Sequence, residues 1–344
     1  MMQMDIAQNE FLKPYNSFGV AAEARYFMRV RREDELIQIF GNPDWEQQSK
    51  LVLGGGTNML FVDNFNGLLL KMDIPGIRST KNGLKVLVSA GAGVLWNDLV
   101  GYCVNHGFAG IENMALIPGT AGAAPVQNIG AYGVELMDVF DSCRAFDTHR
   151  KEMVSLKKAD CGFAYRDSIF KHQEKNRYIV TEISLMLSLH PIIHSDYGAI
   201  QAELEARGIS HPGIKDMAEV VSHIRLAKLP DPSTIGNAGS FFKNPIIPQV
   251  LFEELNRRFP EIVHYPAGEG LVKLAAGWLI EYCGWKGKRL GAVGTWKNQA
   301  LVLVNHGGAS GREIYQFSAA IMEDVKNTFG IQLEREVNVI GALD

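Results

Sequence analysis

The stretch from Pro118 to Gly133, PGTAGAAPVQNIGAYG, decides how the rest of this chain is interpreted. Four glycines and two prolines in sixteen residues rule out a regular helix or a central strand. The pattern predicts a loop whose backbone amides approach a ligand closely and form an anion-binding concavity. A second glycine turn, Gly54-Gly55-Gly56-Thr57-Asn58, follows the apolar run LVL at 51–53. Two such loops suit a cofactor that carries two phosphate groups.

Composition and charge indicate an ordinary globular protein of two or three domains. The chain has 344 residues, of which 47% are hydrophobic and 21% charged. The net charge of −4 gives no reason to expect nucleic acid or a membrane surface as partner. No run approaches the ~18 apolar residues of a membrane span. The first fourteen residues lack the cationic and apolar segments of a signal peptide, so we expect a cytoplasmic protein.

The cysteines and histidines do not predict a metal site. Cys103, Cys143, Cys161 and Cys283 are widely spaced and form no Cys-x-x-Cys pair, which favours reduced, packed thiols. The nine histidines are scattered without ligand spacing.

Hydrophobic periodicity predicts a mixed α+β chain behind a loose tail at 1–13. We predict strands at 25–30, 51–53, 84–89, 139–146, 178–187, 300–304 and 331–340. We predict helices at 32–40, 94–105, 199–207, 216–229, 248–259, 273–283 and 310–329. Residues 190–212 contain two prolines and two glycines, which indicates a linker with a mobile element.

The signature resembles the flavin-binding signature of the bacterial UDP-N-acetylenolpyruvoylglucosamine reductase (MurB) family. The likeness continues in YRDSIFK at Tyr165–Lys171, GNAGSFFKNP at Gly236–Pro245 and LEREV at Leu333–Val337. It extends from about residue 17 to residue 341, and the segment containing Tyr197 marks the type I subgroup.

The resemblance implies a fold and a reaction. The fold is α+β, with a PCMH-type FAD-binding domain of two subdomains at 15–190, as in vanillyl-alcohol-oxidase-type (VAO) flavoproteins. A linker and substrate lid at 191–214 and a smaller α+β MurB C-terminal substrate-binding domain at 215–344 follow. The reaction uses non-covalent FAD and NADPH to reduce the enolpyruvyl group of UDP-N-acetylglucosamine enolpyruvate, giving UDP-N-acetylmuramate for peptidoglycan synthesis. We expect a monomer.

For the cofactor, amides near Gly55, Thr57, Gly119 and Gly122 are the candidates for the pyrophosphate. Ala123 and Ala124 stand where the family often has serines, so amides must carry more of the binding. The predicted cofactor residues are Gly54, Gly55, Gly56, Thr57, Asn58, Pro118, Gly119, Gly122, Gln127, Asn128, Gly130 and Tyr132.

For catalysis, the resemblance assigns Arg166 to the substrate carboxylate, which its planar fork suits. It makes Ser240 the proton donor and Glu336 the catalytic glutamate. Glu334 lies on the same face as Glu336, and the pattern alone does not choose between them. Lys243 could stabilise the alkoxide that Ser240 leaves behind.

For the substrate, the resemblance gives six residues, and Tyr197 acts as the lid. Arg225 and Lys228 lie three residues apart on one helix face and could neutralise the diphosphate. The predicted substrate-binding residues are Tyr165, Tyr197, Lys228, Asn244, Tyr265 and Gln299.

Two other functions stay open on the sequence alone. An FAD-dependent oxidase of the same broad fold, acting on an alcohol or sugar, would produce hydrogen peroxide and would need neither Ser240 nor Lys228. A non-catalytic UDP-sugar-binding module would carry no yellow cofactor.

Overall fold

The strands and helices follow the hydrophobic pattern of the sequence. The computed structural model describes residues 5–342, which form twenty β-strands and eight α-helices. The strands are β1 (Ile6–Phe11), β2 (Glu23–Val30), β3 (Lys50–Leu53), β4 (Met59–Phe61), β5 (Phe65–Met72), β6 (Ile77–Asn82), β7 (Lys85–Gly91), β8 (Gly130–Ala131), β9 (Val134–Glu135), β10 (Phe140–Asp147), β11 (Glu152–Lys157), β12 (Tyr178–Ser188), β13 (Gly236–Ser240), β14 (Ile246–Pro248), β15 (His264–Pro266), β16 (Leu271–Leu274), β17 (Arg289–Leu290), β18 (Val293–Trp296), β19 (Gln299–Asn305) and β20 (Asn338–Ile340). The helices are α1 (Glu33–Gly41), α2 (Trp96–Asn105), α3 (Leu136–Val139), α4 (Gly198–Ala206), α5 (Ile214–Lys228), α6 (Gln249–Arg258), α7 (Ala276–Tyr282) and α8 (Gly311–Phe329).

The described chain divides into two compact units. Unit 1 contains residues 5–10, 24–55 and 66–227, and unit 2 contains 11–23, 56–65 and 228–342. This division differs from the predicted one, because α4 and α5 pack into the core of unit 1. Ile200 and Leu204 of α4 and Val220 of α5 are buried there. The segment 191–214 is therefore not a free linker.

Unit 1 contains two larger sheets. The first has the strand order β1-β2-β5-β3, in which β3 and β5 run parallel. The second has the order β11-β10-β12-β7-β6 with antiparallel neighbours throughout. The apolar stripe of α2, including Leu99 and Cys103, packs in one core with Val88 of β7 and Leu185 of β12. β3 and β7 both end in glycine turns, and the signature follows α2 in the chain.

Unit 2 is built around the amphipathic helix α8. Ser310 and Glu313 form a capping box at its start, and Gly330 ends it with a φ of +72°. Its apolar face packs in the core cluster that includes Val293 of β18 and Leu303 of β19. The sheets of this unit are β13-β19-β18-β17, β14-β16-β15 and the parallel pair β4-β20.

Three predicted elements are corrected. The tail predicted at 1–13 contains β1, which pairs with β2; the first four residues lie outside those described. The helix predicted from Lys273 begins at Ala276, because β16 occupies Leu271–Leu274. Of the strand predicted at 331–340, only Asn338–Ile340 is regular, although Ile331, Leu333 and Val337 are buried with the predicted alternation.

Candidate active site

Glycine turns of unit 1 pack against one another through their main chains. A Cβ atom built on Gly54 would lie 2.8 Å from Oγ1 of Thr120, and one built on Gly122 would lie 2.5 Å from Cβ of Ala92. Both distances are shorter than real Cβ contacts, so only glycine allows these approaches. The glycine turn after β3 and the start of the signature therefore form one cradle.

Two amides of this cradle remain available to an anion. Neither Gly55 nor Gly119 donates a hydrogen bond to any residue in the range 5–342. The amide of Gly122 donates instead to the carbonyl of Ala92 at 3.1 Å, so its predicted contact with a pyrophosphate is corrected. Gly122 serves close packing rather than anion binding.

Thr120 adds a hydroxyl that the sequence reasoning missed. Its Oγ1 atom is buried and has no hydrogen-bond partner among the described residues. A buried hydroxyl without a partner costs free energy, and a phosphate oxygen would satisfy it. Its place in the sequence Gly119-Thr120-Ala121-Gly122, between two glycines of the signature, is the feature that could have indicated a ligand contact. The free amides and this hydroxyl together fit the pyrophosphate of FAD.

Asn128 is a predicted cofactor contact that the structure corrects. Its side chain is fully buried, and Nδ2 donates to Oε2 of Glu135 (2.9 Å) and to the carbonyl of Ala164 (3.0 Å). Its Oδ1 accepts from the amide of Met137 at 2.9 Å. The side chain thus holds the signature against the segment that precedes Tyr165, and it offers nothing to a ligand.

The rest of the signature turns back on itself through β8 and β9. A Cβ on Gly130 would lie 2.7 Å from the carbonyl oxygen of Val134, so this glycine is required by the hairpin. Tyr132 has a φ of +50° and its carbonyl accepts from Nδ2 of Asn113 at 3.1 Å. Gln127 is half-buried, and Pro118 is exposed at the start of the loop.

Arg166 is held by the signature in a strained conformation. Its φ of +54° is rare for a side-chain-bearing residue and costs about 1–3 kcal/mol. The guanidinium donates from Nη2 to the carbonyl of Gly130 (2.7 Å) and from Nη1 to that of Asn128 (3.4 Å). It also lies 5.4 Å from the ring centroid of Tyr165, which is 39% exposed. These contacts fix the fork before any substrate binds.

Tyr197 lies against the signature. Its ring meets that of Tyr132 edge-on at 5.4 Å, and it stands at the N-cap of α4. Nearby, Nε of Arg225 donates to the carbonyl of Leu116 at 3.3 Å, and burial lowers the pKa of the Arg225 guanidinium. Burial also raises the pKa of the Tyr132 phenol, with Arg225 opposing that shift. Unit 1 therefore brings Arg166, Tyr197 and Arg225 around one loop.

The glycine turn continues into unit 2 at Gly56. A Cβ there would lie 1.9 Å from the carbonyl oxygen of Tyr15, at a φ of +65°. Thr57 and Asn58 lead directly into β4, which pairs with β20. Nδ2 of Asn58 donates to the carbonyl of Glu336 at 3.3 Å, so Asn58 helps to place that residue.

Ser240 and Glu336 belong to paired segments of unit 2. Ser240 ends β13 and is exposed, whereas Phe241 and Phe242 behind it are buried and anchor the chain. The amide of Glu336 donates to the carbonyl of Phe241 at 2.8 Å, and Arg335 bridges Phe242 in antiparallel fashion. The backbone therefore sets Glu336 beside the residue that follows Ser240.

The structure separates Glu334 from Glu336. Glu334 is 67% exposed and forms an ion pair with Nζ of Lys243. Its carbonyl also accepts from the amide of Lys243 at 2.9 Å. Lys243 is thus engaged with Glu334, and its suggested role of stabilising the Ser240 alkoxide stays a prediction.

Asn244 and Gln299 each approach the start of α7. Oδ1 of Asn244 accepts from the amide of Ala276 at 2.9 Å, and Oε1 of Gln299 accepts from that of Leu301 at 3.3 Å. A Cβ on Gly277 would lie 3.0 Å from the same Gln299 oxygen. Because both amide oxygens are engaged, both residues present NH₂ donors, which suit phosphate or carbonyl oxygens.

Tyr265 and Lys228 are the remaining predicted substrate residues of unit 2. Tyr265 lies opposite Lys273 across the β15–β16 ladder and is 44% exposed. Nζ of Lys273 lies 6.0 Å from its ring centroid. Lys228 is the exposed last residue of α5.

Residues 5–342 contain neither a candidate membrane span nor a candidate metal-ligand cluster. No helix within 5–342 is both long enough and apolar enough to cross a membrane. No three histidine, cysteine, aspartate or glutamate residues of that range are grouped as metal ligands would be.

Comparisons with known proteins assign the family. Residues 24–151 match the family model described as FAD binding domain, and residues 231–340 match that of the UDP-N-acetylenolpyruvoylglucosamine reductase C-terminal domain. Proteins named UDP-N-acetylenolpyruvoylglucosamine reductase from Amoebophilus asiaticus and Pseudomonas aeruginosa are 45% and 44% identical, each covering 98% of this chain and 100% of their own length. The crystal structure of the enzyme of that name (MurB) from Thermus caldophilus matches with a TM-score of 0.67 and 22% identity, over 99% of this chain and 100% of its own, which supports the fold. The chain therefore belongs to the UDP-N-acetylenolpyruvoylglucosamine reductase family.

Proposed function

We propose that this chain is an FAD-dependent reductase that uses NADPH to convert UDP-N-acetylglucosamine enolpyruvate into UDP-N-acetylmuramate. The observation that carries the proposal is the pairing of the Ser240 and Glu336 segments of unit 2: the amide of Glu336 donates to the carbonyl of Phe241, the residue after Ser240, so a hydroxyl acid and a carboxylate belong to adjoining segments. An oxidase that acts on an alcohol has no carbon to protonate and needs no such pair. We propose in addition that the protein is cytoplasmic and acts as a monomer.

Residues of unit 1 would hold the cofactor. The amides of Gly55 and Gly119 and the hydroxyl of Thr120 would bind the pyrophosphate of FAD, because all three lack protein acceptors within the described chain. When bound, FAD supplies the two-electron chemistry that links NADPH to the enolpyruvyl group.

Three side chains act on the enolpyruvyl group. The preorganised fork of Arg166 binds its carboxylate and stabilises the negative charge that develops there and at C2. Glu336, in its protonated form, donates a hydrogen bond to the same charge. Ser240 gives its proton to C2.

The nucleotide sugar is held by donors. The NH₂ groups of Asn244 and Gln299 and the ammonium of Lys228 match the oxygens of the diphosphate and of the uracil base. Tyr265 adds an exposed phenol, and Tyr197 acts as the lid over the substrate.

The test is NADPH consumption under anaerobic conditions, with and without the enolpyruvyl UDP-sugar. We expect sustained consumption only when the UDP-sugar is present. The purified protein should be yellow and release FAD on acid or heat treatment. Peroxide formation in air at the rate of substrate turnover would support the oxidase instead, and a colourless protein with no flavin would support a binding module.

Replacing Thr120 with valine separates cofactor binding from folding. Valine keeps the shape but removes the unpaired hydroxyl, so the FAD-free protein should melt at the same or a higher temperature. FAD affinity should fall by roughly two- to tenfold, as for the loss of one hydrogen bond. Calorimetric titration of FAD and a melting curve of the FAD-free protein measure the two effects. An unchanged FAD affinity would remove Thr120 from the cofactor site.

Replacing Lys228 with alanine tests the diphosphate contact. The apparent Michaelis constant for the UDP-sugar should rise by roughly ten- to a hundredfold, the value of one charge-assisted hydrogen bond, while reduction of FAD by NADPH stays the same. Lys215, which lies near the start of the same helix, provides the matched control in Lys215→Ala. If Lys228→Ala and Lys215→Ala had equal Michaelis constants for the UDP-sugar, Lys228 would be an ordinary solvated lysine without a contact to the diphosphate.

A further inference from the structure

Arg335 occupies a position at which the alternation of apolar residues from Ile331 to Val337 predicts a buried apolar side chain. Its neighbours on the same face, Leu333 and Val337, are 1% and 4% exposed. Burial lowers the pKa of the Arg335 guanidinium, and no carboxylate among residues 5–342 forms an ion pair with it. Placing a cation there without a carboxylate is costly, so the side chain must gain something else from its surroundings.

The guanidinium of Arg335 is held at two points on α8. Nε donates to Oγ of Ser318 at 2.8 Å, and Cζ lies 4.1 Å from the ring centroid of Tyr315. Ser318 is fully buried, and its own hydroxyl donates to the carbonyl of Tyr315 at 2.6 Å. The hydroxyl oxygen is therefore oriented to accept from Arg335. Residues 315 and 318 are one helical turn apart, so the planar guanidinium of Arg335 contacts two groups whose spacing is fixed by the helix.

This anchorage adds to the backbone contacts of the segment, which include the hydrogen bond from the Glu336 amide to the Phe241 carbonyl. The chain from Ile331 to Val337 is not a regular strand, and Arg335 pairs with Phe242 through a single bridge. Successive side chains of an extended chain point to opposite faces. With Arg335 directed to α8, the side chain of Glu336 is directed to the opposite face of the same segment.

We propose that Arg335 is a positioning residue for Glu336. Its contacts with Tyr315 and Ser318 set the rotation of the segment, and that rotation aims the Glu336 carboxyl at the reacting carboxylate. The inference rests on the proposed function for its chemistry. It assigns to Arg335 a role in the second half-reaction alone, in which the UDP-sugar reoxidises the reduced protein.

The test compares Arg335→Met with Arg312→Met by stopped-flow absorbance of each half-reaction. Arg312 also lies on α8, where it pairs with Asp63 instead of Ser318, so it serves as the matched control arginine. Arg335→Met should slow reoxidation by the UDP-sugar about tenfold or more and leave reduction by NADPH within twofold, because small misplacement of a reacting group has large effects. Arg312→Met should leave both rates unchanged. Ser318→Ala, which removes the hydroxyl that accepts from Nε of Arg335, should slow reoxidation in the same direction as Arg335→Met.

A double-mutant cycle separates positioning from general destabilisation. If Arg335 acts through Glu336, adding Arg335→Met to Glu336→Ala should slow reoxidation no further. Full additivity of the two changes, or wild-type reoxidation in Arg335→Met, would overturn the inference while the proposed function stands. If the UDP-sugar fails to reoxidise the wild-type protein, the proposed function falls, and this inference falls with it.

Discussion

Replacing Ser240 with alanine is expected to slow reduction of the UDP-sugar by roughly 10²–10⁴-fold and to leave reduction of bound FAD by NADPH nearly unchanged. Only the second half-reaction needs an acid, because the carbanion equivalent at C2 must be protonated. Ser240 is exposed at the end of β13, and Phe241 and Phe242 hold it from behind. The substitution therefore removes the proton without disturbing the core.

Stopped-flow absorbance of the flavin measures each half-reaction of the Ser240→Ala variant. Ser233, another exposed serine of unit 2, supplies the control in Ser233→Ala, which should change neither rate. Equal slowing of both half-reactions would mean that Ser240 positions the cofactor and does not donate the proton. Wild-type reoxidation by the UDP-sugar would remove Ser240 from the mechanism and favour the oxidase.

Replacing Glu336 with alanine is expected to lower turnover by roughly 10²–10³-fold, the usual loss when one donor to a developing negative charge is removed. Glu336→Gln should recover part of that loss, since an amide still donates a hydrogen bond. Glu334 provides the matched control, because it is a glutamate two residues away that is 67% exposed and paired with Lys243. Glu334→Ala should keep turnover within about twofold, as is usual for exposed ion pairs.

Steady-state turnover at saturating UDP-sugar measures the three glutamate variants together. The account requires the order Glu334→Ala, Glu336→Gln, Glu336→Ala from fastest to slowest. A larger loss in Glu334→Ala than in Glu336→Ala would transfer the catalytic role to Glu334.

The sequence predicted the elements that depend on local pattern. Alternation of apolar residues from Ile331 to Val337 indicated which faces are buried, and the glycines and prolines of the signature indicated a loop there. These predictions succeed because periodicity and glycine geometry are properties of neighbouring residues. The family assignment rested on longer motifs and is confirmed by the relatives.

The sequence did not predict which polar groups are already engaged. Asn128 binds Glu135 and Ala164, Gly122 donates to Ala92, and Glu334 pairs with Lys243. Most of these contacts join residues far apart in the chain, so periodicity carries no information about them. The same holds for the positive φ of Arg166, since a strained arginine has no signature in composition.

The division of the described chain into units differs from the predicted boundaries at residues 190 and 214 for a related reason. Prolines and glycines near α4 indicated a linker, but the apolar stripes of α4 and α5 are buried in the core of unit 1. Tertiary packing overrides the local breaker signal there. Tyr197 consequently stands on an anchored helix, next to Tyr132.

One anaerobic single-turnover experiment tests the central claim most directly. The purified protein is titrated with one equivalent of NADPH until the flavin absorbance is bleached, and the UDP-sugar is then added. The account predicts that the absorbance returns in full and that mass spectrometry finds the substrate increased by two hydrogen atoms, as UDP-N-acetylmuramate. A flavin that stays bleached until oxygen is admitted, with the UDP-sugar recovered unchanged, would contradict it.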